Sequence, residues 1–246
     1  MGAVPPETSL RWDEPEGVEP RGTVVVIAGR GEAPAAYARL GRRLSADAYR
    51  VRVVGDVTAP RQRTLELARN LIREEAVRPI VLLGADAGAI AALNLAIALP
   101  QRVAGVIAVG LPRRRRGVPE GAPQLPLRTR SPEHWATLSN PEVVDPEALS
   151  RDIPDQFALP DPLSIPVPVL GLHGSEDPVT PVADAVDYYA SVPQAQVVTV
   201  DGGLHDSVND ALHRSVAATI VLFLEELRNG APTVAPPSRI RGASLL

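Results

Sequence analysis

Ile80-Val81-Leu82-Leu83-Gly84-Ala85-Asp86-Ala87-Gly88-Ala89-Ile90 is the stretch that decides how this chain folds. A short run of apolar, largely branched residues enters Gly-x-Asp-x-Gly and leaves as an alanine-rich helical pattern. The run predicts a strand buried on both faces, and the two glycines leave room for a sharp strand-to-helix turn. The residue at the centre of such a turn is forced into a strained backbone conformation, its side chain exposed at the top edge of the sheet. Asp accepts positive φ better than most residues, and the start of the following helix would stabilise its negative charge. Asp86 is therefore the first candidate for chemistry.

Outward from this segment the same alternation repeats. Thr23–Ala28, Arg50–Val54, Val103–Val109, Val167–Leu172 and Gln196–Val200 read as further strands, most of them continuous apolar runs. Pro34–Ala46, Arg61–Glu75, Ala87–Leu99, Pro181–Ser191 and Ser207–Leu227 read as helices, with Pro34 and Pro181 suited to a first turn. The order predicts an α/β fold: a mostly parallel, doubly wound sheet with helices on both faces. Residues 1–22 would form an N-terminal edge segment, an antiparallel hairpin anchored by Leu10 and Trp12. The core would comprise residues 23–111 and 166–229. Between them, residues 112–165 hold ten prolines and no long periodic segment. Only short helices are expected there, near Pro132–Leu138 and Pro146–Arg151. A connection this long in a compact domain is usually functional, and it is read as a lid inserted over the carboxyl ends of the strands. Its first part is Arg-rich and its second acidic, a polarity that solvated halves or mutual pairing would explain. Residues 230–246 read as a loosely held tail.

Composition removes whole classes of function. The chain has 246 residues, 45% of them hydrophobic and 22% charged, with ample apolar material for a core. It contains no cysteine, so thiol nucleophiles and Cys-ligated metals are excluded. All 25 basic residues are Arg, so a lysine Schiff base and a P-loop lysine are excluded too. A net charge of −4 offers no global attraction to nucleic acid, and the Arg113–Arg116 run lacks interleaved aromatics. No apolar run approaches a membrane span. Pro5, Pro6, Glu7, Asp13, Glu14 and Pro15 are unlike a secretory signal, and a cytoplasmic location is expected. The four histidines, His134, His173, His205 and His213, are too dispersed for a metal motif. No metal and no cofactor are expected.

Three motifs in order resemble the α/β-hydrolase fold family, most closely its monoacylglycerol-lipase-like branch of esterases. Ala28-Gly29-Arg30-Gly31-Glu32, followed by Tyr37, is similar to that family's His-Gly-x-Gly-Glu oxyanion loop, with Ala28 in place of His. Gly84–Gly88 matches the nucleophile elbow. Gly171–Val179 and Asp201–Asp206 match the segments that carry the acid and the base. The resemblance spans roughly residues 22–227 apart from the lid. It implies Asp177 as triad acid, His205 as triad base, and an elbow serine that this chain replaces with Asp86. Aspartate nucleophiles occur on this fold in haloalkane dehalogenases and epoxide hydrolases. Here, however, Ala87 stands where halide binding uses Trp, and the lid has no tyrosine to open an epoxide.

The backbone N–H groups of Arg30 and Ala87 are expected to converge on an oxyanion hole. Gly29, Arg30, His134 and Trp135 are candidates for contacting a small-molecule substrate. His205, between two carboxylates, should hold its proton more tightly than usual. The leading expectation is hydrolysis of a small ester, thioester or lactone through Asp86, His205 and Asp177. The alternatives are an elimination, cyclisation or hydration with Asp86 as base, and a binder that has lost its nucleophile. His173 is expected to support its loop, and His213 to lie on a surface helix.

Overall fold

The structure is a computed structural model that describes residues 9–59, 63–113 and 117–230. Seven strands form one sheet: β1 (Leu10–Trp12), β2 (Gly22–Ile27), β3 (Tyr49–Val54), β4 (Ile80–Ala85), β5 (Gly105–Val109), β6 (Val169–Gly174) and β7 (Ala195–Val200). Their order is β1-β3-β2-β4-β5-β6-β7. Every neighbouring pair is parallel except β1 with β3.

The branched residues of β2 show how the sheet is clad. Val25 and Ile27 join the core on one face with Ala68 and Ile72 of α2 (Thr64–Glu74), Ile90 and Leu93 of α3 (Ala87–Ala98), and Tyr189 of α6 (Val182–Tyr189). Val24 and Val26 point the other way, to Leu40 and Leu44 of α1 (Ala38–Ala46) and Ile220 and Phe223 of α7 (His213–Asn229). Alternate side chains of one fully buried strand thus serve both layers. Chain order reverses direction in space between β2 and β4, so the loops leaving their carboxyl ends turn to opposite faces of the sheet.

Four local differences from the sequence expectation have physical causes. Among the described residues of the N-terminal segment, 9–22, β1 is an edge strand that pairs antiparallel with β3 rather than with a hairpin partner of its own. Trp12 pairs with Val51 and packs on α1 so closely that a Cβ on Gly41 would come within 2.3 Å of the indole. The first helical pattern begins with a 3-10 turn, Pro34–Tyr37, before α1. The last strand, β7, is a half-exposed edge instead of a buried run. The last helix starts only at His213, because Asp210 ties residues 204–210 into turns. Its carboxylate accepts from Leu204 N–H, Arg130 N–H, Ser131 N–H and the Thr129 hydroxyl, bonds that compete with helix formation.

The 112–165 connection carries two short helices, α4 (Leu125–Arg128) and α5 (Pro132–Leu138), and 3-10 turns at Ala148–Ser150 and Pro162–Ser164. It is bonded to the loop after β2: Asp145 N–H donates to Gly31 O and Ala33 N–H to Val143 O. Among the described residues no helix is long and apolar enough to cross a membrane. The tail from residue 231 and Arg114–Arg116 lie outside the described residues.

Candidate active site

At the end of β4 the chain makes the tight turn expected of the elbow. Asp86 has φ 48° and ψ −123°, a strained geometry for a residue with a side chain. The flanking glycines are steric necessities. A Cβ on Gly84 would lie 2.2 Å from Gly88 O, and one on Gly88 would lie 2.4 Å from Ile27 O. The turn therefore presses the start of α3 against the end of β2, and Asp86 faces the Ala28–Glu32 loop.

His205 reaches the same place from the far end of the sheet. Its Nδ1 lies 2.9 Å from Asp177 Oδ2, and its Nε2 lies 3.6 Å from Asp86 Oδ1. The second separation is too long for a hydrogen bond, leaving an attraction between charges. Asp177 is fixed on its other side by N–H bonds from Val179 and Thr180 and by the Thr180 hydroxyl at 2.7 Å. His173 steadies this loop through Thr180 O at 2.5 Å, the supporting part expected of it. His213 opens α7, half-buried, with Nδ1 3.1 Å from Asp210 O.

Arg30 does more than lend a backbone amide. Its N–H donates to Asp86 Oδ2 at 3.2 Å, and its guanidinium grips the same carboxylate, Nε to Oδ2 at 2.6 Å and Nη2 to Oδ1 at 3.1 Å. The pair is buried, 2% and 3% exposed. The remaining guanidinium nitrogen, Nη1, donates to Arg151 O of the 112–165 connection at 2.6 Å. Gly29 gives the loop its shape, since its N–H donates to Glu32 Oε2 and a Cβ there would lie 2.9 Å from that oxygen. Ala87 opens α3, so its N–H has no carbonyl in its own helix.

The charges follow from this geometry. Burial would raise the Asp86 pKa, but the Arg30 charge, with help from His205, holds it well below the carboxylate range. Burial would lower that of His205, but Asp177 and then Asp86 push it up to about 10. Asp177 is likewise held down against burial, chiefly by His205. The resting state is an imidazolium and a guanidinium shared between two carboxylates.

A second buried network adjoins the first. Arg128 of α4 donates to Glu32 Oε1 at 3.0 Å and to Arg30 O at 2.8 Å, and lies 3.4 Å from Asp206 Oδ1. His134 of α5 joins through Asp206 Oδ2 at 3.0 Å. Burial and the Asp206 charge raise the Glu32 pKa. Glu32, His134 and Asp206 are close enough in space to share a cation, a grouping that sequence spacing does not reveal. Arg128, wedged between the two acids, supplies positive charge there. Neither solvation nor pairing with the acidic half describes Arg128, and Arg151 pairs with Asp145 of its own half. Of the sequence candidates, Gly29, Arg30, Asp86, Ala87, Asp177 and His205 come together, and His134 joins them through Asp206. Trp135 is 40% exposed on α5.

A family model described as TAP-like protein matches residues 150–234. A search of curated protein sequences finds no match. Among solved structures, a monoacylglycerol lipase from Paleococcus ferrophilus superposes with a TM-score of 0.72 at 18% identity, covering 92% of this chain and 99% of that one. A soluble variant of monoglyceride lipase from Saccharomyces cerevisiae gives 0.70 at 17% identity, over 89% and 91% of the two chains. A thioesterase domain from the curacin biosynthetic pathway gives 0.62 at 20%, over 87% and 94%. The chain has the α/β-hydrolase fold.

Proposed function

We propose that this protein is a hydrolase of a small ester, thioester or lactone in which Asp86, His205 and Asp177 act as the triad and residues 112–165 as a lid. The observation that carries the reading is the carboxylate of Asp86, held ionised at the elbow and facing a protonated His205 whose other nitrogen rests on Asp177.

The raised pKa of His205 suits a carboxylate nucleophile. An Asp86 oxygen attacks the carbonyl carbon, and the bond from that carbon to the leaving oxygen or sulfur breaks. His205 Nε2 gives its proton to the leaving group. Asp86 is then a neutral mixed anhydride, so one of the two charges that raised the His205 pKa is gone. Neutral His205 can now accept a proton from water. Water adds to the anhydride, one proton returns to His205, the other leaves with the product acid, and Asp86 regains its charge. The N–H groups of Arg30 and Ala87 are suited to steady the developing oxyanion. The same electrostatics argue against Asp86 as a base for elimination or hydration, because its affinity for a proton is too low.

A second reading, a binder without turnover, is favoured by two observations: the Arg30 guanidinium sits on Asp86, and His205 Nε2 stands 3.6 Å from Asp86 without a hydrogen bond. Steady-state assays with short-chain aryl esters separate the two. The hydrolase reading expects turnover by the wild type and, for Asp86→Asn, a loss of at least about a hundredfold in kcat. A wild type without activity towards esters, thioesters and lactones would leave the binder.

A further inference from the structure

We infer that the substrate of this site is an acyl compound bearing its own carboxylate, which takes the guanidinium of Arg30 when Asp86 gives it up. The inference rests on the reading of Asp86 as the acylated group, and its argument is one of charge. In the resting state Arg30 is neutralised by Asp86 through a two-point grip, Nε on Oδ2 and Nη2 on Oδ1. Acylation removes that charge. Arg30 would then be a cation, 2% exposed, whose remaining direct partner is the neutral carbonyl of Arg151.

The neighbours make good only part of the loss. Asp56 is the next acid to act on Arg30, through space rather than by a hydrogen bond, because its oxygens accept from Gly31 N–H and from the Thr58 N–H and hydroxyl. Glu32 and Asp206 are held by Arg128, which is itself a like charge beside Arg30. A buried cation stripped of its partner is strongly destabilising, and the cost would fall on the covalent intermediate. A substrate that brings a carboxylate removes the cost, because the fork Arg30 presents to Asp86 fits any carboxylate.

The probes are an aryl hemiglutarate and the aryl valerate, which differ by a carboxylate in place of a terminal methyl. The wild type should favour the hemiglutarate in kcat/KM by about ten- to a hundredfold, the worth of a charge-assisted contact. Arg30→Gln should bring the ratio close to one. Equal rates of the wild type on both esters would overturn the inference while leaving the hydrolase reading in place. Calorimetry supplies a readout that does not depend on turnover. Asp86→Asn mimics the neutral acylated state and should bind glutarate at least about tenfold more tightly than the wild type. Adding Arg30→Gln should abolish that binding, with circular dichroism verifying that both variants are folded. Failure of folded Asp86→Asn to bind glutarate would overturn the inference even if neutral esters are cleaved. Binding that depends on Arg30, in a protein that cleaves neither ester, would support the anion site and overturn the hydrolase reading.

Discussion

Asp86 is held by two cations of different kinds, and removing either should show which matters more for stability. Arg30→Leu leaves a buried carboxylate without its closest partner and should cost about 3–5 kcal/mol in chemical denaturation. Combining it with Asp86→Asn removes the stranded charge and should recover much of the loss. His205 makes a pH prediction whose sign follows from the direction of its shift. Its pKa in the fold, about 10, lies above the ordinary 6.5. The stability it contributes is complete below 6.5 and disappears as the pH climbs through about 10. Asp86 and Asp177 are shifted the other way, so their contribution is present above the ordinary 3.8 and fades as the pH falls below it. Urea midpoints measured across pH should therefore decline on the alkaline side in the wild type. His205→Gln should flatten that decline; an unchanged alkaline limb would contradict the placement of the charge.

At the scale of elements, the elbow depends on how closely α3 approaches β2. Gly88→Ala would put a methyl 2.4 Å from Ile27 O and 2.6 Å from Ala28 O, both backbone atoms that cannot step aside. It should cost at least about 1–3 kcal/mol, read as a lowered Tm. Ala89→Gly, one residue along the same helix, should cost only about 1 kcal/mol, by helix propensity. The strand–turn–helix unit was legible in sequence because both its apolar run and its glycines are local features. The start of α7 was not. The periodicity of Ser207–Leu227 suggested helix throughout, but Asp210 folds back on Leu204, Thr129, Arg130 and Ser131, and three of these partners lie about eighty residues away. Arg128 was missed for the same reason: its partners, Glu32 and Asp206, are 96 and 78 residues distant. Nothing in an Arg-rich run marks which arginine the fold will bury. Arg30 was singled out, but its grip on Asp86 depends on the way the two loops meet.

For the whole molecule, the 112–165 connection is fastened to the core by charge as well as by the apolar side chains of Leu138, Val143, Val144, Ile153, Phe157 and Ile165. Arg128 binds α4 to Glu32 and Asp206, Arg151 O receives Arg30, and Asp206 N–H donates to Arg128 O. Arg128→Met should release this fastening without melting the sheet. Hydrogen exchange should quicken in residues 125–131 and 204–210, while the amides of β2, β4 and β5 stay protected. Uniform loss of protection would mean that the connection belongs to the core's own cooperative unit. The fold brings Asp177, His205 and Asp86 together, buried beside Arg30. In the proposed mechanism Asp86 exchanges its ion pair for a covalent bond. The most direct test is to let the protein turn over an active ester in the presence of hydroxylamine and to sequence the peptide containing Asp86 by mass spectrometry. The account predicts a hydroxamate on Asp86 that depends on substrate. Turnover that leaves the Asp86 peptide unmodified, and that survives Asp86→Asn, would contradict it.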